Sequence, residues 1–126
     1  MSHPLVLVVD DDPDILEAIC DILEVEDYRV VKARNGLEAL QRVDAERPDA
    51  ILLDLMMPVM DGVAFAHALH DRPERDVPIV VISADGNPQR AASVGARAFL
   101  AKPFDIDTLL AYVGAITSER VPHADA

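Results

Sequence analysis

The sequence is poor in cysteine, in basic residues and in long apolar runs, and each shortage removes a class of function. Cys20 is the one cysteine, so neither an internal disulfide nor a thiolate-ligated metal centre can form, and an unpaired thiol suits a reducing compartment better than secretion. There are 11 Lys and Arg against 23 Asp and Glu, a formal net charge of −12. Polyphosphate backbones and anionic lipid need clustered cations, so direct nucleic-acid binding and membrane-surface binding are not expected. No stretch approaches the apolar length of a membrane span. The opening Met-Ser-His-Pro carries no basic region ahead of the short apolar run Leu5–Val9, which is too short for a signal peptide. The expected location is the cytoplasm.

What is present fits one compact domain. The 126 residues, 51% hydrophobic and 27% charged, can bury a core but leave no room for a second domain, and the composition is that of ordinary globular proteins. Residues 1–117 are expected to form the domain and 118–126 a short polar tail.

Apolar, β-branched-rich runs at Leu5–Val9, Arg29–Ala33, Ala50–Leu53, Ile79–Ile82 and Ala98–Ala101 are strand candidates, and three are almost continuously apolar, as strands covered on both faces are. Helical period lies between them. Asp12 caps and Pro13 opens a first helix with Ile15, Ile19, Ile22 and Leu23 inward and Cys20 among them, a buried and inert thiol. Asn35 caps a second, with Leu37, Leu40 and Val43 inward, and Pro48 follows it. A third follows Gly62, using Phe65, Ala66 and Leu69. Asn87, Pro88 and Gly95 bracket a brief fourth of about two turns. Asp105 caps a fifth with Ile106, Leu109, Leu110, Val113 and Ile116 as its stripe. Five repeats of strand and helix imply an α/β fold, a doubly wound parallel sheet with helices on both faces. Sites in such sheets form beyond the carboxyl ends of the strands.

Reactive side chains stand at four of those ends: Asp10, Asp11 and Asp12 after the first strand, Asp54 after the third, Ser83 after the fourth and Lys102 after the fifth. A single acid there is commonly only a helix cap, and Asp12 reads as one. If Asp10, Asp11 and Asp54 meet, their three negative charges demand a cation, and an all-oxygen set suits Mg²⁺, with Lys102 as a further positive charge. Such a site is prepared for a phosphoryl group, with Asp54 as nucleophile after the central strand and Asp10 and Asp11 on the metal.

The segments LVLVVDDD, DLMMPVMDG, VVISA and LAKPF stand in the order and spacing of two-component response regulator receiver domains, and the sequence resembles that family from Leu5 to about Ile116. The resemblance implies the flavodoxin-like receiver fold, a five-stranded sheet of order 2-1-3-4-5. It implies Asp54 as phosphoacceptor, Asp10 and Asp11 as Mg²⁺-binding acids beside Asp54, and the Met56 backbone carbonyl as a further ligand. Ser83 becomes the switch hydroxyl and Lys102 the phosphate contact, with a cis peptide bond to Pro103. Phe99 corresponds to the aromatic that turns inward with the switch, its plain alternative being a strand aromatic packed on the last helix. Pro58 and Gly62 shape the loop beside the acceptor.

The implied function is a phospho-switch in signalling, not a turnover enzyme. A sensor histidine kinase or histidine phosphotransfer protein supplies the phosphoryl group, and a downstream protein target reads the switch, as monomer or phosphorylation-dependent dimer. The departure lies between Ser83 and Lys102, which are 19 positions apart, shorter than the family's commoner spacing. A truncated fourth helix follows, and it puts partner choice and dimer mode in question. Three other readings are weaker. A phosphoaspartyl hydrolase needs an aspartate where Met56 stands, and a flavodoxin-like cofactor binder needs a Gly-, Ser- or Thr-rich loop where Asp-Asp-Asp-Pro stands. An interaction module without phosphorylation, or a receiver belonging to a longer regulator, stays open as an alternative. His67 and His70 at i, i+3 lack a third ligand nearby.

Overall fold

A computed structural model describes residues 3–57, 59–84 and 88–120, with the backbone alone at 88, 119 and 120. The cap at Asn87, Pro58 and the tail beyond 120, His123 included, lie outside the described residues. The elements are β1 (Leu5–Val9), α1 (Pro13–Val25), β2 (Arg29–Ala33), α2 (Gly36–Ala45), β3 (Ala50–Leu53), α3 (Gly62–His70), a short 3₁₀ turn (Pro73–Asp76), β4 (Ile79–Ser83), α4 (Pro88–Ser93), β5 (Ala98–Ala101) and α5 (Ile106–Arg120). All pairings are parallel and the order is β2-β1-β3-β4-β5, the order expected from the resemblance.

Burial on both faces explains the continuous apolar strands. Successive side chains point to opposite faces, so Leu7, Val9, Ile51, Leu53, Ile79 and Val81 pack with α2 and α3 residues such as Val43, Phe65 and Leu69. Val6, Val8, Leu52, Val80 and Ile82 pack with Leu16, Ile19, Cys20 and Leu23 of α1 and Leu109, Val113 and Ile116 of α5. Local signals set the helix starts. Asp12 accepts hydrogen bonds from the Asp14 and Ile15 amides with Pro13 at the first position, Asn35 accepts from the Glu38 amide, and Asp61 from the Ala64 amide. Each satisfies amides that the first helical turn leaves unpaired. Gly95, at φ +75°, ends the chain segment after α4 in the left-handed region that glycine adopts without steric cost. No helix among the described residues is long and apolar enough to cross a membrane.

Several side chains depart from the expected faces. On α1, Leu16 is buried and Ile15 only partly so; on α2, Ala39 takes the inward position while Leu37 is 48% exposed. Ile106 is 52% exposed at the start of α5, where the stripe has not yet rotated onto the sheet. The helix also continues through residues 118–120, the first part of the expected polar tail. Strand β4 runs one residue further than expected, so that Ser83 closes the strand instead of following it.

Val59 holds a β-branched side chain at φ +68°, 81% exposed. That conformation costs an L-residue with a branched Cβ of the order of 1–3 kcal/mol, and an exposed valine recovers little by packing. Val59→Gly is expected to raise unfolding stability by about 1 kcal/mol, read from urea denaturation. A loss of stability would show that the valine side chain has a packing role that outweighs its backbone strain.

Candidate functional site

β1 and β3 are neighbours while β2 lies on the far side of β1, so the chain leaves β1 and β3 in opposite directions across the sheet and a crevice opens at their carboxyl ends. Asp10 and Asp54 stand there. The ladder continues one residue past each strand, the Asp10 amide donating to the Ala33 carbonyl at 3.1 Å and the Asp54 amide to the Val9 carbonyl at 3.0 Å. The backbone of both acids is therefore held as firmly as the strands. Gly62 lets α3 start close by: a Cβ at that position would come within 2.5 Å of the Asp54 carbonyl oxygen and 2.7 Å of Leu55 Cα, so the loop after β3 admits no larger residue.

Asp10 and Asp54 are buried, Asp11 is exposed, and one carboxylate oxygen of each lies within 4.8 Å of the others. Among the described residues this is the one such group of three potential metal-binding side chains. Lys102 Nζ donates to Asp10 Oδ2 at 2.8 Å and to Asp54 Oδ2 at 3.3 Å. Asp10 Oδ1 accepts from the Asp12 amide at 2.9 Å and Asp54 Oδ1 from the Met56 amide at 3.1 Å. Lys102 follows β5, its own amide donating to the Ser83 carbonyl at 3.0 Å, and its bond to Pro103 is cis. Ser83 is fully buried.

Burial pushes the Asp54 carboxyl above its ordinary range, and the charge of Asp10 adds to this; the Met56 amide and Lys102 pull the other way. Burial would lower the Lys102 ammonium, but its hydrogen bond to Asp10 and the charges of Asp10 and Asp54 outweigh that and hold it above the usual lysine value. One ammonium against three carboxylates leaves two negative charges uncompensated when all are ionised. The all-oxygen donor set, two of its three carboxylates withdrawn from water, fits a hard divalent cation such as Mg²⁺.

Asp10, Asp11, Asp54, Ser83 and Lys102 are thus brought to one edge of the sheet. Phe99 is not on the last helix: it faces Val81 in the register and packs, partly buried, with the cluster under α2, α3 and Ala91 of α4. His67 and His70 are both exposed on α3. Cys20 is buried and its thiol is pushed up to about 11 by desolvation, consistent with an inert core position. Two features escaped sequence reasoning. An apolar hollow of about 470 Å³ beside Lys102 is lined by Ile15, Ala18, Ile22 and Phe104, so the isoleucines expected in the core border open space. Arg90 of α4 reaches across to Met56, with Nη1 at 3.6 Å from Sδ, a contact between residues far apart in the chain that no local pattern announces.

A family profile described as response regulator receiver domain matches residues 6–114. The transcriptional regulatory protein PrrA of Mycobacterium leprae is 42% identical over 123 residues, 95% of this chain and 52% of that protein. This chain spans about half the length of the curated relatives it matches. The receiver domain of Francisella response regulator 1452 superposes with a TM-score of 0.87 at 30% identity, over 94% of this chain and 100% of that one. The receiver domain of the sensor histidine kinase PA1611 of Pseudomonas aeruginosa PAO1, with a magnesium ion coordinated in its active site cleft, superposes at 0.86 and 28% identity over 93% and 99% of the two chains.

The raised Asp54 carboxyl carries a linkage consequence. A folded-state pKa above the unfolded one means the native state holds the proton more tightly, so stability falls as pH rises through that window and the ionised carboxylate is a cost at neutral pH. Asp54→Asn removes the charge while keeping an acceptor for the Met56 amide. In metal-free buffer at pH 7 its melting temperature is expected to exceed the wild type's by about 2–5 °C. The gain should disappear below about pH 4, where the wild-type carboxyl is itself protonated. A neutral-pH gain of zero would mean that Lys102 compensates the buried charge in full.

Proposed function

The chain belongs to the response regulator receiver domain family, and from that premise we propose that it is a phosphorelay switch whose acceptor is Asp54. The observation that carries this reading is the convergence of Asp10, Asp11 and Asp54 with Lys102 bonded to two of them. The family is one of signalling switches, and receiver domains pair with histidine kinases. For this chain the phosphodonor is a sensor histidine kinase or a histidine phosphotransfer protein, and the output is a changed affinity for a protein target.

The chemistry follows from the positions of the side chains. Asp54 is held by the Met56 amide at one carboxylate oxygen and by Lys102 at the other, which fixes the nucleophile before a donor arrives. Asp10, Asp11, Asp54 and the Met56 carbonyl would hold Mg²⁺, which when bound supplies positive charge for the phosphoryl oxygens. Lys102 is placed to exchange its bond to Asp54 for one to a phosphoryl oxygen. Ser83 shares a sheet face with Val81, two residues before it, and with Phe99, Val81's register partner. A hydroxyl drawn toward the phosphoryl group therefore changes the packing available to Phe99, and with it the surface near α4. That is a route from chemistry to partner binding. The net charge of −12 disfavours direct contact with nucleic acid by this chain, and a cytoplasmic setting suits both the donor and the unpaired Cys20.

Intact mass spectrometry after incubation with a phosphodonor tests the reading. Wild type with Mg²⁺ is expected to gain one phosphoryl group. Asp54→Asn, or wild type with excess chelator, is expected to gain essentially none. Absence of any adduct with small donors and candidate kinases alike would transfer the assignment to an interaction module that acts without phosphorylation.

A further inference from the structure

A cleft of about 400 Å³ separates the last turn of α3 from the end of α4, with Ala66, His67 and His70 on one wall and Ser93, Val94 and Gly95 on the other. His67 and His70 stand three residues apart in that last turn, a spacing that sets side chains on one helix face with about 5–6 Å between their Cβ atoms. Neither imidazole has a hydrogen bond or an ion pair among the described residues, and both are exposed, so the fold makes no use of them. No Lys or Arg lines the cleft to compete for a cation's place. The carbonyl end of α3 carries partial negative charge, and the net charge of −12 adds a general attraction for cations. Across the cleft, Ser93 donates its hydroxyl to the Arg90 carbonyl at 2.7 Å, which leaves the serine oxygen free to accept.

We propose that His67 and His70 form a two-imidazole site for a nitrogen-preferring divalent cation of the Zn²⁺ class at the mouth of this cleft. The site is chemically distinct from the group of Asp10, Asp11 and Asp54, because a hard ion such as Mg²⁺ takes oxygen ligands whereas imidazole suits Zn²⁺. Each neutral imidazole offers one nitrogen lone pair, so the pair fills two positions of a tetrahedral ion and water fills the others. Ser93 on the facing wall supplies an acceptor for a metal-bound water, the kind of outer contact that orients a metal site. With two protein ligands instead of the four of a structural zinc centre, the ion is held reversibly. Its effect is to tie the end of α3 to the end of α4, where Ala91 and Val94 pack in the same apolar cluster as Phe99. The proposal stands apart from the Asp54 reading and does not need it.

Isothermal titration of the full chain with Zn²⁺, in excess Mg²⁺ to occupy the carboxylate group, compares wild type with His67→Ala, His70→Ala and the double variant. Wild type is expected to bind one Zn²⁺ at this site, and each single substitution to weaken that binding at least about tenfold, since loss of an outer contact alone costs metal sites about 10–100-fold. Ser93→Ala should weaken it by less than either histidine variant. A second readout is thermal unfolding: saturating Zn²⁺ is expected to raise the wild-type melting temperature by about 5 °C and to leave the double variant unmoved. Equal Zn²⁺ affinity in wild type and the double variant places the metal elsewhere and overturns the proposal. Loss from one histidine variant alone reduces the site to a single surface imidazole and overturns it too, as does no binding by wild type. Melting temperatures measured in chelator, expected within about 2 °C of wild type for exposed substitutions, separate a folding defect from a lost ligand.

Discussion

Two buried carboxylates side by side are the constraint around which the rest is arranged. Asp10 and Asp54 are almost without solvent contact, and each would be costly to ionise there alone. Lys102 makes the arrangement tenable by bonding to both. Those bonds require β5 to lie at a fixed distance from β1, with two strands between them, which the β1-β3-β4-β5 ladder provides. A single cation does not balance three acids, however, and the remaining negative charge is of the kind that a divalent cation would offset. The same imbalance that costs stability at rest is what a bound divalent cation would relieve.

The fold delivers this geometry by making strand ends rigid. Backbone hydrogen bonds run one residue past β1 and β3 to hold Asp10 and Asp54, and a further bond ties Lys102 to Ser83 at the close of β4. The site residues are therefore positioned by main-chain pairing and not by loop conformation. Two apolar clusters, one on each face of the sheet, keep those strands in register. Surface ion pairs such as Arg29 with Glu46 and Lys32 with Glu17 are exposed and contribute little by comparison. The loop after β3 is the less settled part of the design: Gly62 crowds the Asp54 backbone and Val59 sits in a strained conformation nearby. Strain gathered beside a reactive residue is where such costs are commonly found.

Much of this is legible in the sequence, and the exceptions concern which face a side chain takes. Strand positions followed from runs of apolar residues too short for helices, and caps from Asp12 and Asn35 ahead of helical periods. Helix faces were less legible. Leu37, Ile106, Ile15 and Ile22 all sit at positions where a helical period places apolar side chains inward, yet Leu37 and Ile106 are exposed and Ile15 and Ile22 only partly buried, while Ala39 and Leu16 are buried. Phe99 was expected, in its plain alternative, against the last helix, but strand alternation sends it to the other face, with Val81.

The sequence by itself determined the order of elements, the sheet's two-sided burial and the set of reactive residues. These depend on short-range features: apolar runs, capping side chains, and acids placed immediately after strands. Tertiary structure alone decided which carboxylates become buried and how Lys102 is shared between them. It also decided that a hollow opens beside α1 and that Arg90 meets Met56. Each of these depends on distances between segments far apart in the chain, set by strand register and by how the helices pack on the sheet, and no local pattern of residues encodes those distances in readable form.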